Sequence, residues 1–163
     1  NKRSNRHNGL LNGMLNYGYA VLSSLVYREI IIHGLTAQMA FCHVSRYRAN
    51  PLVYDLMEPL RPILDYFLFC FIEKNKDDFM KNLNMENEQD EFPIMNHWMK
   101  FVGQHFLIHK VSYKKMNLKL INAVKYYVRS IANALLKSDV REIWFPTFEI
   151  NTENKKNEKR KRS

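Results

Sequence analysis

No proline interrupts this chain before Pro51, and from about Leu10 to His33 apolar residues recur every three or four positions, through Leu11, Leu15, Tyr19, Leu22, Val26 and Ile30. A strand alternates its faces every second residue, whereas a helix brings residues three and four apart onto one side. The chain is therefore committed early to one long helix with a stripe that must be buried. Gly34 marks its stop, because glycine takes the left-handed conformation after a last turn at little cost.

Helix periodicity continues in most later windows, and only five glycines and five prolines punctuate 163 residues. The expected class is all-α, a helical bundle with one core, spanning residues 1–150. Residues 151–163 read as a basic disordered tail, since "NKKNEKRKRS" carries repelling charges and no apolar anchor. A second helix starts at Asn50-Pro51, where asparagine suits the cap and proline the first helical position. Pro59 and Pro62 should kink or break it between Glu58 and Pro62. The polar stretch from Glu73 to Glu91 suggests a short helix and a surface connection. Further helices are expected over Ile94–His109 and Lys114–Lys137, the last with Leu118, Ile121, Val128, Ile131 and Leu135 on its buried face and Lys115, Lys119, Lys125 and Arg129 mainly elsewhere. "IWFPTFEI" reads as a final extended segment packing back on the bundle.

Lysine and arginine number 25 against 16 acidic residues, a net charge of +9, which suits an anionic partner. Cys42 and Cys70 lack zinc-ribbon or redox spacing, and a reducing cytoplasm fits them. The longest greasy run, Leu64 to Ile72, contains Asp65 and is far too short to cross a bilayer.

At about 100° per residue from Asp55, Glu58 falls near about −60°, Asp65 near about −80° and Arg61 near about −120°. Leu52, Val53, Leu56, Met57, Leu60, Ile63, Leu64 and Phe67 fall together on the opposite side. One face is core; the other presents acids beside an arginine. His43 lies on the preceding connection, from which an imidazole can reach the first carboxylate. Imidazole with hard carboxylate oxygens suits Mn²⁺, or Mg²⁺ with more water. A solvated polar face is the plain alternative. His105 and His109, four apart with His97 upstream, form a weaker zinc candidate lacking the H-E-x-x-H glutamate.

These same stretches carry a resemblance. "NGLLNGMLNYGYAVLSSLVYREIIIHGL", "CHVSRYRANPLVYDLMEPLRPILD" and "YKKMNLKLINAVKYYVRSIANALL" resemble the C-terminal helical domain of the CRISPR-associated integrase, a metal-dependent endonuclease and DNA integrase that acquires spacers. The likeness runs from Asn8 to about Pro146; "LNYGYA" and "DLMEPLRP" are its most distinctive parts, and they look closest to the type II form. It implies that His43, Asp55 and Glu58 hold Mg²⁺ or Mn²⁺ and are catalytic. In the intact family, it further implies a homodimer, acting with a second adaptation subunit, that joins the 3′-hydroxyl ends of protospacer DNA to CRISPR repeat DNA by transesterification. The family's further metal-binding glutamate, in a Glu-Gly-x-Ala-Ala-like context, has no counterpart here, and Glu29 is wrongly placed to replace it. Nor is the N-terminal β-rich domain represented, so the expectation is a truncated integrase.

Arg46, Arg48 and Arg61 are candidate DNA contacts, with the lysines of the later helix, through phosphates. Two rival readings carry no catalysis: a basic helical nucleic-acid-binding module, whose affinity would ignore divalent metal, and a helical protein-interaction scaffold.

Overall fold

A computed structural model of the chain describes residues 4–39, 41, 50–83 and 93–147. Six helices dominate: α1 (Ser4–Ile32), α2 (Pro51–Met57), α3 (Arg61–Lys74), α4 (Lys76–Leu83), α5 (Pro93–Phe101) and α6 (Leu120–Lys137). One antiparallel hairpin, β1 (Lys110–Tyr113) and β2 (Met116–Lys119), precedes α6. The tail at 151–163 lies outside the described residues.

Helix α1 is the 29-residue spine, and α2, α3, α5 and α6 all pack on it. Its C-terminus closes as the glycine requires: Gly34 has φ +72°, Leu35 N–H donates to the Ile30 carbonyl at 3.0 Å and Gly34 N–H to that of Ile31 at 3.1 Å. The buried stripe runs through Leu10, Met14, Leu22, Leu25, Val26 and Ile30, whereas Leu11 is exposed. The expected stripe is thus displaced at its N-terminal end, because the seam is centred on Gly18, which a count of apolar residues passes over.

At Gly18 the spine lies close against α3. A β-carbon there would lie 2.7 Å from Leu64 Cδ2 and 2.8 Å from Cδ1, and Leu64 is wholly buried. One turn earlier, the Trp98 indole N–H of α5 donates to the Met14 carbonyl at 2.8 Å in a buried setting. Both the missing side chain and the indole let neighbouring helices approach the spine closely.

Asn50 takes the cap position of α2 and Pro51 follows it, although the asparagine side chain makes no capping bond. The helix then breaks as its prolines demand: α2 ends at Met57, a 3₁₀ turn covers Glu58–Leu60, and α3 starts at Arg61-Pro62. All eight apolar residues assigned to the inner face are buried. A short helix, α4, occupies part of the polar stretch. Helix α5 passes at Val102–Phe106 into a π turn, so the expected helix to His109 ends early, and its histidines leave one regular face.

The expected helix from Lys114 begins instead at Leu120. Residues 110–119 form the hairpin, with Val111 and Tyr113 turned into the core. The sequence there lacks an Asn-Gly turn and is rich in helix formers, but alternation into the core and a further bridge outweigh local propensity. That bridge joins Ser112 to Thr147 through N–H···O bonds of 2.7 and 2.8 Å, so the extended segment after Val140–Glu142 does pack back on the domain. Starting at Leu120 also turns α6: Leu120, Val124, Tyr127, Ile131 and Ala134 are buried, while Leu135 is half exposed and Leu118 belongs to β2.

Gly18→Ala should lower the melting temperature even though alanine favours helix by about 1 kcal/mol, because overpacking against Leu64 costs about 1–3 kcal/mol. In a Leu64→Ala background the same change should raise it, a reversal of sign that thermal unfolding of the four proteins would reveal.

Candidate metal and DNA site

Asp55 sits in the last turn of α2 and Glu58 opens the 3₁₀ turn, three residues on. The Phe41 backbone N–H donates to Asp55 Oδ2 at 2.6 Å, which ties the connection after α1 to the first carboxylate. Tyr127 of α6 feels the same charge: burial, and then the nearby Asp55 carboxylate, push its phenol well above the usual tyrosine range. A cavity of about 590 Å³ adjoins Asp55, walled by Phe41, Leu56, Tyr127, Ile131 and Phe145. Asp55 is thus partly buried against apolar walls, where its charge is screened less than on an open surface.

Glu58 is more open, with 47% of its side chain exposed, and its Oε1 lies 3.2 Å from the Arg61 guanidinium. Arg61 also lies over the Tyr19 ring, 5.0 Å from the centroid. The Tyr19 hydroxyl donates to Asp65 Oδ1 at 2.6 Å. A chain of contacts therefore runs from Glu58 through Arg61 and Tyr19 to Asp65. Burial, with the Asp65 hydrogen bond and charge adding to it, pushes the Tyr19 phenol up to about 12. Arg61, a candidate DNA contact by its charge, and Asp65 of the acidic face are joined here through Tyr19, which the sequence marks only as an apolar stripe residue of α1. Its signal lay in "LNYGYA", where it directly follows the glycine that admits Leu64.

His43, Arg46 and Arg48 lie outside the described residues, as does Cys42. Among the described residues, no three His, Cys, Asp or Glu side chains are grouped closely enough to hold a metal ion. The histidine trio pairs with phenylalanines instead: His97 with Phe71, His105 with Phe101 and His109 with Phe67, at centroid separations of 5.0, 5.0 and 4.8 Å. Burial lowers the His109 pKa, as packing among rings implies. Glu29 is only 2% exposed and pairs with Arg28 at 2.7 Å, near the end of α1. Cys70 is a free thiol.

Residues 1–90 match the family described as CRISPR associated protein Cas1. The chain belongs to the Cas1 family. Similar proteins include CRISPR-associated endonuclease Cas1 of Korarchaeum cryptofilum, 28% identical over 77% of this chain and 35% of that protein. CRISPR-associated protein Cas1 3 of Methanobrevibacter ruminantium is 37% identical over 50% of this chain and 26% of its own length. Among solved structures, a casposase bound to integration product superposes with a TM-score of 0.62 at 27% identity, covering 78% of this chain and 36% of that one. The chain thus spans roughly a third or less of these Cas1 relatives, and its helices have the all-α character of the C-terminal Cas1 domain. Among the described residues, no helix is long and apolar enough to cross a membrane.

Because the Tyr19 phenol is raised, the native state keeps a proton that the unfolded chain gives up above pH 10. The stabilising contribution is complete below about pH 10 and should fade as pH approaches 12. In urea titrations Tyr19→Phe should be less stable than wild type at neutral pH and should lose less stability over that alkaline window.

Proposed function

We propose that this chain is the catalytic helical part of a metal-dependent DNA endonuclease and integrase of CRISPR adaptation. In the complete protein it works as a homodimer with the second adaptation subunit, joining protospacer 3′-hydroxyl ends to repeat DNA. Membership of the Cas1 family supports the reading, as does likeness to a casposase bound to integration product. The observation that carries it is the Phe41–Asp55 hydrogen bond. His43 follows Phe41 by two residues in the sequence, and the family resemblance pairs it with this acid.

The donor set fits the metal. Asp55 and Glu58 offer hard oxygens one turn apart, Glu58 is open to solvent, and His43 adds a nitrogen, a combination suited to Mn²⁺ or Mg²⁺. Such an ion, when bound, stabilises charge at phosphorus and activates the attacking hydroxyl. The chain's own residues do the positioning. Phe41 N–H fixes Asp55, and Arg61 orients Glu58 from a seat on Tyr19, so that little reorganisation is needed when phosphate arrives. Arg46 and Arg48 follow His43 by three and five residues in the sequence and are assigned phosphate-binding roles.

In the whole reading frame, assayed on branched or repeat-containing DNA with Mn²⁺ or Mg²⁺, His43→Ala, Asp55→Ala and Glu58→Ala should each lower product formation by about two orders of magnitude or more. Duplex affinity should change far less. Full activity in all three variants would dismiss the site.

A further inference from the structure

The hairpin collects positive charge in a way the bundle does not require. Lys110 and Lys119 are direct cross-strand partners, and Lys114 and Lys115 form the two-residue turn between Tyr113 and Met116. All four are exposed, and among the described residues none forms an ion pair. Both turn lysines have positive φ, 49° and 65°, the mirror-image turn that hairpins favour and that Asn-Gly makes with least strain. Like charges directly opposite on a ladder repel. Two backbone strains and one repulsive pair are therefore retained within ten residues, without a compensating acid.

The remaining groups complete a ribbon of donors. With Val111 and Tyr113 turned inward, Lys110, Ser112, Asn117 and Lys119 share the outer side, ahead of the lysine tip. Lys114 is held over the Trp144 ring at 5.0 Å, and Ser112 is fixed by its bridge to Thr147, so the ribbon is braced at two points. Phe145, next to Trp144, walls the cavity beside Asp55, which links this surface to the candidate catalytic side.

We propose that the β1–β2 hairpin is a backbone grip for duplex DNA, its four lysines meeting phosphates while the outer side lies along one strand. This rests on the DNA reading above but is independent of the metal. Four residues of strand span about 13 Å, enough to meet more than one phosphate of a strand. Lysine is scarce in protein–protein interface cores, and its flexible point charge suits contacts that carry no sequence information.

The test uses the full chain, a short duplex of arbitrary sequence and EDTA throughout. Lys114→Asn/Lys115→Gly relieves the turn, so it should melt at the same temperature or higher. Its duplex affinity should nonetheless fall about tenfold or more at low salt, and the slope of log affinity against log salt should flatten by about 2, near 0.9 per lost contact. Lys110→Thr/Lys119→Thr should behave likewise while removing the repulsive pair. Affinity and slope unchanged in both folded variants would overturn the grip and leave the strand-transfer reading, measured by product formation, untouched. A wild-type chain that binds no duplex would likewise overturn the grip.

Discussion

Everything placed near the acids depends on how closely α3 approaches α1. A glycine on the spine leaves room for Leu64, and the next residue, Tyr19, reaches across to Asp65. The apolar half of this contact sets the distance between helices, and the polar half sets their rotation about it. Together they explain why "LNYGYA" and the proline-broken stretch, far apart in the chain, form one unit: the first motif is the socket and the second is what fits it.

Onto that unit the fold adds charges in two different settings. Asp55 faces apolar walls and a tyrosine that its charge disfavours ionising, and it is fixed by a backbone N–H. Glu58 is half exposed and balanced by a guanidinium. A partly buried carboxylate and an open one, three residues apart, differ in how readily each can exchange its partner. Arg61 belongs to this balance, and its stacked position leaves less freedom for a phosphate contact than its charge alone suggests.

Much of this was readable from residues alone, where local rules and packing agree. The break at the two prolines, the glycine stop of α1 and the inner face of α2 and α3 follow from ring chemistry and a simple angular count. What escaped was decided by contacts between distant segments. The hairpin at 110–119 has no turn signature and forms where Ser112 finds Thr147 and Tyr113 finds the core. Its appearance shifts the start of α6 and so turns Leu135 outward. Of the candidate site, Asp55 and Glu58 were identifiable by type and spacing and His43 by its place on the preceding connection, and the resemblance supplied their assignment as metal-binding residues. Tyr19 was invisible to an acid-and-histidine search, because its part is to seat an arginine rather than to ligate.

The interruption at Glu58–Leu60 has a consequence for durability. Neither Pro59 nor Pro62 can donate the amide bond that would zip α2 and α3 into one rod. The change of winding at Glu58–Leu60 is thus written into covalent rings and not only into neighbouring contacts. Heating, partner binding or a loosened interior can shift the neighbouring contacts, but none of them can restore the two amide donors that the rings remove.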